Sequence, residues 1–296
     1  MGGSRTYLNI MKIVFFGTPD YVMPVLTSLH RKFVTGPGKS PIVAVVTQSP
    51  KPTGRKQVLT YSPVDRWAHD HKIDTYYQAS ELVENKVVAD IGVLASYGEI
   101  VSKDVIDLFP QGILVIHPSL LPEYRGASPI TAAIKDGKTE TGVSTILMDE
   151  KIDHGKIVSQ FKEDIRPDDT TETLRARLFE RSAQVMLEFI EPYIKGKIRP
   201  KVQDEDKATF TKRLLKEDGF IDLKVTTGEE AERFIRAMKP WPVAWTKIKI
   251  AEDNEVRVKL LNAHLEEDKL VLDEVQMEGK TPVSWKQFKE AYKVEV

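Results

Sequence analysis

The 296-residue sequence contains no cysteine, so disulfides, thiolate nucleophiles and thiolate metal sites are excluded. A dominant charge is also missing: 43 Lys plus Arg stand against 44 Asp plus Glu, a net charge of -1. That balance argues against bulk electrostatic attachment to nucleic acid or membrane, and any RNA partner must be met by local patches. No stretch approaches about 18 consecutive apolar residues, and no apolar signal-peptide core follows the start. The expectation is a soluble, cytoplasmic chain with no membrane role. Repeats and low-complexity tracts are absent, and the six histidines and many carboxylates form no spaced cluster resembling a metal-ligand set, so no metal is expected.

What is present is a series of short apolar runs separated by turn signals. Ile13-Val14-Phe15-Phe16 is stopped by Gly17-Thr18-Pro19-Asp20, after which Val22, Val25, Leu26 and Leu29 carry helical spacing. Ile42-Val43-Ala44-Val45-Val46-Thr47, Ile91-Gly92-Val93-Leu94-Ala95 and Ile113-Leu114-Val115-Ile116 read as three more strands. Strands apolar on both faces belong in a parallel sheet covered by helices. A helix is expected over residues 128–135, a strand pair near 143–148 and 156–162, and a long amphipathic helix at Thr171–Ile194 behind capping residues Asp168, Asp169 and Thr170.

Residues 195–213 are rich in charge, punctuated by Gly196 and Pro200, and are read as a linker. Beyond them come a helix ending at Lys239-Pro240 and alternating segments such as Val256-Arg257-Val258-Lys259-Leu260 and Lys269-Leu270-Val271-Leu272. These predict antiparallel strands of a small barrel or sheet, with Trp241 and Trp245 in its core. The expected organisation is a tail at 1–10, an α/β domain at 11–194, a linker at 195–213 and a β-rich domain at 214–296. The larger domain is Rossmann-like in class, a mostly parallel sheet with helices on both faces. It lacks the second and third glycines of a dinucleotide fingerprint after Gly17.

Ligands of such sheets lie beyond the carboxyl ends of the strands, where Gly17, Tyr97-Gly98 and His117 all fall. A histidine taken alone is more often structural than catalytic, and an aspartate in a turn between strands is often only a turn former. Here His117 ends an apolar strand, is held extended by Pro118, and is followed by Ser119-Leu120-Leu121-Pro122, Tyr124-Arg125-Gly126 and, further on, Asp153-His154-Gly155. A carboxylate beside an imidazole can hold its protonated form and manage a proton from an attacking amine.

These residues resemble the motifs of the folate-dependent formyltransferases, in order and along nearly the whole chain from Met11. Ser62-Pro63-Val64 and Lys239-Pro240-Trp241-Pro242 with Ala244-Trp245 are similar to the branch of that family that acts on methionyl-tRNA. The resemblance implies an OB-like C-terminal β-barrel and transfer of a formyl group from 10-formyltetrahydrofolate to the α-amino group of initiator methionyl-tRNA, by a monomer. His117 would stabilise the oxyanion and Asp153 would manage protons. Ser119, Leu120, Leu121 and Pro122 would line the folate pocket, and the backbone at Tyr97 and Gly98 would meet the pterin.

Where the family has Asn two residues before the histidine, this chain has Val115. Loss of one oxyanion donor costs about 10² to 10³ in rate. An inactivating change, an enzyme relying on His117 and a backbone N–H, and a non-catalytic homologue all accommodate Val115. In the family the loop holding Arg55 and Lys56 enters the tRNA acceptor arm, and Lys212, Arg213, Arg233 and Arg236 are further candidates for phosphate contact, though a solvated helix face explains the last two nearly as well. From Lys207 onward 17 Lys plus Arg face 17 Asp plus Glu, so the C-terminal region is not basic. The stretch between Leu260 and Ser284 is shorter than in many relatives, which implies fewer strands or a shorter loop. A nucleotide-sugar N-formyltransferase is the nearest rival and predicts no tRNA loop.

Overall fold

The computed structural model describes residues 11–36, 39–54, 57–251 and 254–294, so the tail assigned to 1–10, Arg55 and Lys56 lie outside the described residues. It divides into two compact units, one running to Pro122 with Val143–Phe161 and Arg177–Lys207, the other comprising Glu123–Gly142, Lys162–Ala176 and the chain from Ala208 on.

The chain enters as β1 (Ile13–Gly17), buried at every position. α1 (Met23–Phe33) buries Val25, Leu26 and Leu29, one face of an amphipathic helix. β2 (Ile42–Val46) pairs parallel to β1, and an exposed antiparallel hairpin follows, β3 (Lys51–Thr53) with β4 (Val58–Thr60). α2 (Pro63–His71) begins where the Ser62 hydroxyl accepts the Asp65 N–H at 3.0 Å and proline fills the first turn. The Ser-Pro-Val motif is thus a helix start: cap, preset φ, first core residue. β5 (Asp74–Tyr76), α3 (Glu81–Glu84), β6 (Ile91–Ala95), α4 (Lys103–Ile106) and β7 (Ile113–His117) follow, then β8 (Arg125–Gly126), α5 (Pro129–Lys135), β9 (Glu140–Leu147), β10 (Ile157–Asp164) and α6 (Thr171–Ile194).

The main sheet has seven strands in the order β10-β9-β7-β6-β1-β2-β5. β5, β2, β1, β6 and β7 run parallel, and β9 is antiparallel to β7. Alternation along the strands sends Val14, Phe16, Ala44, Val46 and Val115 into one apolar layer with Leu82 of α3 and Val105 of α4. Ile13, Phe15, Val45 and Leu114, out of phase with these, are also buried, so both faces of the sheet are covered. That is why these strands read as continuous apolar runs.

In the second unit β11 (Phe210–Thr211) pairs parallel to β8. α7 (Gly228–Ala237) opens with a reciprocal capping box between Thr227 and Glu230, and the Thr171 hydroxyl donates to the Ala237 carbonyl at 2.7 Å at its other end. β12 (Trp245–Ala251), β13 (Asn254–Glu266), β14 (Lys269–Met277) and β15 (Val283–Ser284) form a four-stranded antiparallel sheet, followed by α8 (Trp285–Tyr292). Ile221, Ile235, Val258, Leu260, Val275 and Phe288 make its core.

The tryptophans depart from expectation. Trp241 is 53% exposed, because Met238 and Ala244 on either side of it occupy the interior instead. Trp245 begins β12, where alternation points Thr246 inward, and its ring lies beneath the Arg257 guanidinium at 3.8 Å. Among the described residues no helix is long and apolar enough to cross a membrane.

Candidate active site

His117 is the last residue of β7, and alternation places Ile113, Val115 and His117 on one face. The imidazole side chain is 5% exposed, and its Nδ1 lies 3.4 Å from Oδ2 of Asp153, itself 16% exposed. Asp153 sits in the turn between β9 and β10 with φ of 48°, a left-handed conformation that Asp tolerates better than most residues. The turn closes tightly: a Cβ on Gly155 would stand 1.8 Å from the Leu147 carbonyl oxygen, so only glycine fits. The structure brings together the two residues that sequence spacing paired.

The turn that presents His117 is built from the inside. The Ser119 N–H donates to the His117 carbonyl at 2.9 Å. Ser144, fully buried and opposite His117 in the β7–β9 register, donates its hydroxyl to the Ser119 carbonyl at 2.7 Å and accepts the Leu121 N–H at 3.0 Å. Gln160 donates to the Ser144 hydroxyl at 2.8 Å and to the Leu121 carbonyl at 3.1 Å. Ser119 and Leu121 are thereby interior residues, whereas Leu120 and Pro122 are half-buried. Val115 is 7% exposed between Leu94 of β6 and Ile146 of β9, a buried position one pleat below His117 with no hydrogen-bond donor to offer.

Beyond β6, the Tyr97 ring is buried edge-on to Phe16, and its hydroxyl donates to Glu99 at 3.4 Å. Burial, reinforced by Glu99, pushes its phenol up to about 12. The Tyr97 side chain is therefore packing, and what this loop offers is backbone, with Gly98 at φ of 88°. Next to it is a cleft of about 310 Å³ whose lining includes Tyr77, Gln78, Glu99 and Ile100. Tyr77 donates to Asp65 at 2.9 Å, and burial followed by that bond raises its phenol to about 12.

In the second unit Tyr124 stands at φ of 59° and donates its hydroxyl to Asp136 at 3.1 Å, its pKa raised first by burial and then by that carboxylate. Arg125 is buried, and a Cβ on Gly126 would meet the Thr211 carbonyl oxygen, so the Tyr-Arg-Gly motif is a seat for β11. Lys212 pairs with Asp218 at 2.6 Å, holding that carboxyl below its usual range, and Arg213 is exposed. Arg233 lies 3.5 Å from Glu229 and packs over Gly137. Arg236 departs from the expected phosphate contact: its side chain is 14% exposed, bonded to Glu232 and, at 2.7 Å, to the Asp169 carbonyl. Its fork is engaged in fixing α7.

Three polar residues of the site were not singled out by sequence reasoning: Ser144, Gln160 and Gln203. Gln203 comes from the stretch read as linker and donates to the carbonyls of Asp153 and Gly155. The serine of Glu140–Leu147 was the one available signal, a polar residue inside an apolar run.

Comparison with known proteins identifies the family. The formyl transferase pattern matches residues 11–190, and that of the formyl transferase C-terminal domain matches residues 213–270. A methionyl-tRNA formyltransferase of Listeria monocytogenes serotype 4a is 38% identical over 264 residues, covering 87% of this chain and 80% of that protein. The methionyl-tRNA formyltransferase of Bacillus mycoides is 35% identical over 317 residues, covering 97% and 98%. The solved structure of methionyl-tRNA formyltransferase from Clostridium thermocellum, 18% identical with a TM-score of 0.61 over 90% of this chain and 99% of that one, shares the fold. The chain belongs to the formyl transferase family.

Proposed function

We propose that the protein transfers a formyl group from 10-formyltetrahydrofolate to the α-amino group of methionine on initiator tRNA. The observation that carries the reading is the 3.4 Å approach of the Asp153 carboxylate to Nδ1 of His117 at the carboxyl end of β7, in a chain of this family. The bound folate supplies the activated one-carbon group. The residues present fit it: bare backbone at Gly98, a mixed cleft beside it, and the Glu99 carboxylate as an acceptor for ring N–H groups. Leu120 and Pro122 are the half-buried members of the turn that would face the ligand.

Asp153 meets the imidazole at Nδ1, which assigns Nε2 to the negative charge developing on the formyl oxygen. The same carboxylate accepts the proton that the amine loses, and the pair returns a proton to the leaving nitrogen. Val115 contributes nothing to that charge, so His117 carries it with backbone N–H donors. Arg55 and Lys56 on the β3–β4 connection, with Lys212, Arg213 and Arg233, are our candidates for the RNA backbone, and the enzyme acts as a cytoplasmic monomer.

The test is formyl transfer with charged initiator tRNA beside an amino-sugar nucleotide. Formyl-methionyl-tRNA as the only product supports the reading. Formylated sugar instead, or binding of both substrates without turnover, overturns it.

A further inference from the structure

Gln203 stands out because a glutamine from a charge-rich, linker-like stretch is 6% exposed at the catalytic turn. Its Nε2 donates to the carbonyl of Asp153 and to that of Gly155, each at 2.8 Å. Two carbonyls converging on one atom demand a group with two hydrogens, which the carboxamide nitrogen supplies and a carboxylate cannot. The arm is anchored two residues earlier, where Lys201 and Ile157 of β10 exchange both backbone bonds at 2.8 Å. Two residues later, Glu205 lies 3.6 Å from Nε2 of His154, whose Nδ1 is 2.6 Å from Asp149. The segment 201–205 is therefore strapped across the Asp153 turn.

We infer that Gln203 is a positioning residue for the reaction, holding the Asp153 carboxylate against His117 through the two carbonyls that flank His154. The turn needs such a tie, since Asp153 sits in the left-handed region and the Gly155 side of the loop is already pressed on the Leu147 carbonyl. Without the tie the backbone at 153 is at liberty to relax, and a displacement near 1 Å at a catalytic group costs about 10²-fold. Both hydrogens of the Gln203 amide nitrogen are directed at the two carbonyls of the turn, so the loss of this residue is expected to fall on turnover. The inference rests on the proposed function for its kinetic reading but not for its geometry.

The test is Gln203→Met, which keeps the volume and removes both donors, with Gln203→Asn, a shorter arm with both donors, as the second variant should the first not fold. Expected are a kcat lower by about 10- to 100-fold, KM for folate and tRNA within about twofold, and a displaced ¹⁵N resonance of the His117 imidazole; the Asn variant moves the same way by less. A folded variant whose kcat matches the parent, a loss carried by KM, or an unmoved His117 resonance overturns the inference. The resonance is read without substrates. A parent inactive on methionyl-tRNA would sink the functional reading and leave the clamp to be decided by that signal.

Discussion

At the scale of the residue, Val115 is the position where packing and chemistry pull apart. Valine suits its place, buried between Leu94 and Ile146, yet it stands one pleat below the imidazole, at the position where the resemblance drawn from the sequence implies an asparagine and its donor. Val115→Asn is expected to raise the formylation rate by about 10² to 10³ while lowering unfolding stability by about 1–3 kcal/mol, the cost of a polar group in an apolar layer. Rate assays and urea titration on the same preparation check both halves. An unchanged rate would mean that backbone donors already do the work. His117 and Asp153 were legible because each carries motif neighbours with a mechanical reason: Pro118 holds one extended, Gly155 admits the other's turn. Gln203 was not, because nothing in a run of Lys, Pro and Gly reveals that one amide turns inward.

At the scale of the element, strands buried on both faces were readable from continuous apolar runs, and α6 from its long apolar stripe behind a polar start. The hairpin of β3 and β4 was missed because all the residues of its two strands are exposed, leaving no alternation to read. α3 and α4 are four residues each, too short for a periodic signal. α2 hid its role behind charge, and its outer face carries a small cluster: His71 stacks on Trp67 at 4.2 Å, and His30 of α1 meets His71 edge-on at 4.9 Å. Burial, then His71, then Arg31 lower the pKa of His30. The unfolded chain thus takes up this proton at higher pH than the folded one, so stability is present above the ordinary histidine value and falls as pH drops below it toward the depressed value. Denaturant unfolding between pH 5 and 7.5 should show this slope in the parent and a shallower one in His30→Gln. Equal slopes would remove His30 from the account.

At the scale of the whole molecule, a net charge of -1 with a balanced C-terminal region means that RNA binding must be local. Arg55→Ala with Lys56→Ala is expected to raise KM for methionyl-tRNA about tenfold, each lost phosphate contact being worth about 1 kcal/mol or less in exposed settings, with KM for folate unchanged. The salt dependence of tRNA binding should weaken with it, by a slope of about 1 to 2. Unchanged tRNA kinetics would move the RNA face away from the hairpin. Length and the change from long apolar runs to short alternating ones led to the expectation of a division at residues 195–213, whereas the compact units interleave along the chain, Glu123–Gly142 and Lys162–Ala176 grouping with the stretch from Ala208 on. Trp241 was misjudged because composition cannot tell which of several apolar residues near a turn takes the interior, and Met238 and Ala244 took it.

The central claim is that His117 and Asp153, brought to 3.4 Å from the end of β7 and from the β9–β10 turn, act as one unit on the formyl carbon. Single-turnover formylation by His117→Ala, Asp153→Asn and the double variant tests it most directly. The account predicts that each single change costs about 10² to 10⁴ and that the double variant is no slower than the slower single. Losses that multiply, or a single variant that keeps the parent's rate, would contradict it.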